Sequence, residues 1–160
     1  MEIKIENQLD KKWKKYYLGK VKTSSFNNFG CYLFCWTYLY SIMSKKQVSP
    51  VFVDKIFMDE GVYNGDMINS YKAANVLGIR YLGKELNIDK PPKYSPTIKE
   101  VDFSIKGGKQ QHFVVRIEDK TGKYILDPYG GVKREINYYE KKTKNLNWSK
   151  SGFSYRLIKI

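Results

Sequence analysis

The chain has 160 residues, 42% hydrophobic and 16% aromatic with 14 tyrosines, which suits one domain over 1–160 with a real core and excludes a disordered chain. A formal net charge of +13, from 29 Lys and Arg against 16 Asp and Glu, points to an anionic partner: nucleic acid, an acidic membrane surface or a polyanionic cell wall. Lysine enrichment also follows from an AT-rich coding genome, and the basic residues form no single arm.

The start Met1-Glu2-Ile3-Lys4 does not read as a signal peptide. Residues Met1 to Phe29 read as an irregular lead-in whose Trp13, Tyr16, Tyr17 and Leu18 pack onto the body, with Thr23-Ser24-Ser25 and Asn27-Asn28 supplying turn and cap chemistry. Cys31 to Met43 reads as a buried helix, apolar on nearly every side; the stretch from Phe29 to Met43 is too short to cross a bilayer. Ser49-Pro50 opens a second helix that ends at Gly61. Asp66 is expected to cap a third, with Met67, Tyr71, Ala74 and Leu77 on one face and Gly78 as its stop.

After Gly78 the period becomes two. Ile79 and Tyr81 start a strand, and Pro91-Pro92 and Pro96 mark a loop. Val101, Phe103 and Ile105 alternate, as do Phe113, Val115 and Ile117, and later Phe153, Tyr155 and Leu157. Helices followed by strands predict an α+β fold, with the helices packed on a C-terminal antiparallel sheet.

The chain holds two cysteines, Cys31 and Cys35, and one histidine, His112. Four apart on one helix, the cysteines are poorly placed for a disulfide, and a reducing compartment at synthesis is expected. At the start of its helix the Cys31 thiol would feel backbone amides and the positive end of the helix dipole, which favour thiolate. Gly30 would allow a tight turn and leave room for substrate.

In the hairpin from His112 to Asp127, pairing of Glu118 with Lys123 puts Val114 opposite Asp127. His112 then becomes a diagonal neighbour of Asp127, about 7–8 Å away at the backbone. Imidazole and carboxylate share the face that is not the apolar one. These residues support a triad: Cys31 as nucleophile, His112 as general base, Asp127 orienting the ring. Each has a plainer role, as a small buried hydrophobe, a satisfied strand histidine and a turn start before Pro128. Zinc held by Cys31, Cys35, His112 and Asp127 is the rival chemistry, although no second Cys-x-x-Cys or His pair exists. The triad needs no cofactor and no metal.

The run Gln8-Leu9-Asp10-Lys11-Lys12-Trp13, then Gly19, then Gly30-Cys31, resembles the N-terminal half of the bacteriocin-leader-peptidase-like cysteine peptidases. The segment His112-Phe113-Val114-Val115 through Asp127-Pro128-Tyr129-Gly130-Gly131 is similar to that group's second motif. The resemblance implies a papain-like fold, with Gln8 donating to the oxyanion beside the Cys31 amide; Asn27 and Asn28 are fallback donors. Members often have Ser or Thr where this chain has Cys35. Phe34-Cys35-Trp36 echoes the Ser-Cys-Trp of plant papains, which raises Cys35 as an alternative nucleophile.

Three functions are expected in turn. The first is a peptidoglycan-cleaving phage endolysin or virion-associated lysin, held by its charge to the anionic wall and acting after release from the host cytoplasm. A protein-directed protease of leader or effector type is the second. The third is a non-enzymatic nucleic-acid-binding domain, which leaves the His112 and Asp127 alignment as coincidence.

Overall fold

The computed structural model describes residues 2–86, 95–102, 111–120, 122–139 and 154–159. After 3-10 turns at Lys11–Lys15 and Leu18–Lys20 come the helices α1 (Phe26–Phe29), α2 (Cys31–Ser44) and α3 (Pro50–Asp59). A two-stranded hairpin, β1 (Tyr63–Asn64) and β2 (Met67–Ile68), leads to α4 (Ser70–Val76). Strands β3 (Arg80–Leu86), β4 (Thr97–Asp102), β5 (Gln111–Asp119), β6 (Gly122–Asp127), β7 (Val132–Glu135) and β8 (Ser154–Lys159) form one antiparallel sheet in the order β3-β8-β4-β5-β6-β7. The architecture is α+β, and α2 lies across β5.

Helix α2 is central because almost no side of it is polar. Leu33, Phe34, Cys35, Trp36, Tyr38 and Leu39 are all buried, and they face the sheet on one side and the N-terminal segment and α3 on the others. Two of its polar side chains find internal partners, Thr37 Oγ1 donating to Leu33 O at 2.9 Å and Tyr38 Oη to Glu6 O at 2.7 Å, whereas Trp36 Nε1 and Ser44 Oγ have no hydrogen bond among the described residues. The lead-in is anchored in the same core. Trp13 meets Phe34 edge-on at 5.5 Å, and its Nε1 donates to Asn7 O at 2.9 Å. Tyr17 departs from expectation: it is half-exposed, because it pairs with Ser25 at the edge of this segment.

Asp66 does not cap the third helix. Gly65, at φ +63°, turns the β1–β2 hairpin, so the chain is still extended at Met67; Asn69 provides the cap, accepting from Lys72 N at 3.0 Å. Asp66 instead accepts from Ser24 Oγ. The hairpin also leaves Met67 and Tyr71 71% exposed, whereas Ala74 and Leu77 are buried as expected. Strand β7 was not anticipated. Phe103, Ile105, Phe153 and Pro91-Pro92 lie outside the described residues. No helix among the described residues is long and apolar enough to cross a membrane.

Candidate active site

The β5–β6 hairpin has the register that the sequence suggests: Glu118 pairs with Lys123, and the ladder continues to Val115 opposite Leu126. Alternation sends Phe113, Val115, Ile117 and Leu126 into the large core beneath α2. His112, Val114, Ile125 and Asp127 take the other face. That face is not open to water. Val114 and Ile125 form a second, smaller core with Val101 and Tyr139, and both His112 and Asp127 are fully buried.

Within it, His112 Nε2 lies 2.7 Å from Asp127 Oδ1. The same oxygen accepts from Tyr129 N at 2.9 Å; Oδ2 accepts from Arg134 Nε at 2.7 Å and from Tyr139 Oη at 2.6 Å. Burial acts to raise the Asp127 carboxyl, but the His112 hydrogen bond and charge, with the Tyr139 and Arg134 donors, hold it below the usual carboxylate value. An ionised Asp127 can only accept, so His112 Nε2 carries the proton in the neutral ring and the lone pair sits on Nδ1. Tyr129 stacks on the imidazole, with ring centroids 3.7 Å apart.

Cys31 approaches the hairpin from the helix side, and no hydrogen bond joins its sulfur to His112 Nδ1. Its sulfur lies against the backbone amide of Phe113, the residue after His112, and against the amides of Tyr32 and Cys31 itself. Burial nevertheless dominates and pushes the thiol up to about 11, with the Asp127 charge adding to the rise. The expected thiolate is therefore not the resting form. One cause is local. The one-turn helix α1, capped by Ser25, runs directly into α2, and the Gly30 amide is already bonded to Phe26 O at 2.9 Å. Gly30 is also explained differently from expectation, since a Cβ there would lie 2.4 Å from Phe26 O. Its bareness accommodates the preceding turn.

Cys35 lies one turn deeper, with no exposure, and burial pushes its thiol well above the ordinary value. Both cysteines are free thiols. Gln8 is strapped to the site from two sides. Its amide donates to Pro128 O at 2.8 Å, and its Nε2 donates to Asn27 O at 3.3 Å, one turn before Cys31. Its buried Oε1 has no hydrogen-bond partner among the described residues. Gly131 permits this strap, because a Cβ would meet Ile5 O at 2.7 Å. Asn27 Nδ2 is committed to Gln8 O and Asp10 O, and Asn28 is exposed.

Tyr129, Arg134 and Tyr139 escaped the sequence reading. Arg134 pairs with Ile125, so it is diagonal to Asp127 in the way that His112 is. Reading a strand after Gly130-Gly131 would have found it. A cavity of about 640 Å³, lined by Ile3, Ile5, Ile42, Ile117 and Leu126 among others, contains none of these residues. It opens at the far end of α2, about 16 Å of helix away from Cys31. Among the described residues no three His, Cys, Asp or Glu side chains gather so as to hold a metal. No protein-family model, curated protein or solved structure matched the chain.

Proposed function

We propose that the chain is a cysteine-dependent amide hydrolase of papain-like design that cleaves the peptides of peptidoglycan, as a phage endolysin or virion-associated lysin. The observation that carries it is the fully buried contact of His112 Nε2 with Asp127 Oδ1 at 2.7 Å, on the strand whose next amide touches the Cys31 sulfur. A buried polar cluster costs stability unless its members are paired, and this one gathers His112, Tyr129, Arg134 and Tyr139 on a single carboxylate.

In the proposed reaction His112 Nδ1 takes the thiol proton as the Cys31 sulfur attacks the amide carbon. A thiol held near 11 makes this transfer concurrent with attack, in place of a preformed ion pair. The oxyanion accepts from the Cys31 amide and from the second N–H of Gln8 Nε2. The C–N bond breaks, and the imidazolium protonates the departing amine. Water, deprotonated by His112, then hydrolyses the thioester, returning the thiol and releasing the acid.

The wall substrate is supported by charge next to the site. Lys11, Lys12, Lys14 and Lys15 are all exposed in the 3-10 turn that follows Gln8, and buried Trp13 anchors that turn. The test is digestion of purified sacculi from candidate hosts, counting released amino groups and reducing sugars separately. Amino groups should appear without reducing sugars, and Cys31→Ala should abolish them in a folded protein. Cleavage of unfolded protein with intact sacculi would assign a protein-directed protease; activity that survives Cys31→Ala would end the hydrolase reading.

A further inference from the structure

The Asp127 carboxylate is shared between an imidazole and a guanidinium. His112 takes Oδ1, whereas Arg134 Nε takes Oδ2. The guanidinium does more than pair. Its Nη2 donates to Tyr129 O at 2.9 Å, and its plane lies over the Tyr138 ring at 4.4 Å. One side chain therefore grips both ends of the turn from Asp127 to Tyr129. The ring of Tyr129 is the surface on which the imidazole stacks.

We propose that Arg134 is a positioning residue of this site: it fixes Asp127 and Tyr129 around the His112 ring and takes up carboxylate charge that would otherwise favour an imidazolium. The inference rests on the reading of His112 as base. A guanidinium keeps its charge at any working pH, so a second positive charge on the same carboxylate is formed against repulsion. The depressed Asp127 carboxyl and the raised Arg134 guanidinium agree with this geometry.

The titratable and charged groups around Asp127 include His112 from β5, Arg134 from β7, the Tyr139 hydroxyl, Tyr129, and Cys31, Cys35 and Tyr38 from α2. Lys99 on β4, opposite Val114, and Arg116 share the sheet face, and Arg116 is bound to Glu118 at 2.6 Å. Of these, Arg134 alone combines a permanent charge with direct contact to the carboxylate among the described residues.

With one histidine in the chain, its ring-proton resonance is assigned without ambiguity. The experiment follows that resonance against pH in the parent, R134Q and R134K. R134Q should move the midpoint upward by about one unit or more, and R134K, which keeps the charge, should stay close to the parent. An unmoved midpoint in R134Q overturns the proposal, as does an R134K midpoint displaced as far as that of R134Q. If R134Q does not fold, R134K is judged against the parent: a midpoint close to the parent's is the expected result, and one raised by about one unit or more overturns the proposal. The readout needs no turnover, so a shifted midpoint in a chain that digests nothing would count against the hydrolase and leave the pairing intact.

Discussion

The two faces of the β5–β6 hairpin differ in what holds them together. Phe113, Val115, Ile117 and Leu126 look into a large apolar core under α2, where each side chain contributes through area removed from water. His112 and Asp127 look the other way, into a small core in which Val101, Val114, Ile125 and Tyr139 enclose a network of charged hydrogen bonds. The first face tolerates reshaping if volume is kept; the second tolerates little, because removing one partner leaves a buried charge or donor without its mate. One strand serves both because its side chains alternate.

The largest effects should come from one deletion on each face. Phe34→Ala, in the large core, should cost about 3–5 kcal/mol by denaturant unfolding. Asp127→Ala should cost a similar amount, about 3–5 kcal/mol, by stranding Arg134 and His112. Their pH dependence separates them. Asp127 is held below its ordinary value in the fold, so its contribution is complete above the unfolded value of about 3.9 and disappears as pH falls through the folded one. The gap between parent and Asp127→Ala should therefore close in acid, while the Phe34→Ala gap should not. Parallel gaps would mean that the second face is held by packing alone.

Gly30→Ala should follow, at about 1–3 kcal/mol, since the new methyl must displace the Phe26 carbonyl. A variant with unchanged stability would show that α1 and α2 join less tightly than described.

The smallest change concerns the two thiols. Iodoacetamide should label Cys31 before Cys35, because Cys31 keeps 8% exposure and Cys35 none. The rate at Cys31 should climb as pH rises toward about 11, the sign expected of a burial-raised thiol. A plateau reached below pH 8, read by peptide mass mapping, would reveal an imidazolium–thiolate pair at rest. Cys35→Ser should retain most hydrolytic activity; preferential labelling of Cys35 would reassign the nucleophile.

Much of this site could be read from the chain alone. A two-residue period fixes which side chains share a face, and the Glu118–Lys123 pairing sets the register, so His112 and Asp127 were bound to meet once the hairpin formed. Helix α2 was legible from its apolar run, and α3 from Ser49-Pro50, because caps and prolines act through their immediate neighbours. Asp66 misled for a related reason: capping propensity is local, and the turn at the preceding Gly65 kept the chain extended past it.

Only the tertiary structure decided the charge state of the thiol, since desolvation depends on everything that surrounds an atom, and here it outweighs the amides. The same holds for Arg134 and Tyr139, which reach Asp127 from β7 and the turn after it. Periodicity assigns a residue to a face, but whether that face meets water is settled by distant segments, and the energy of every charge upon it follows from their arrival.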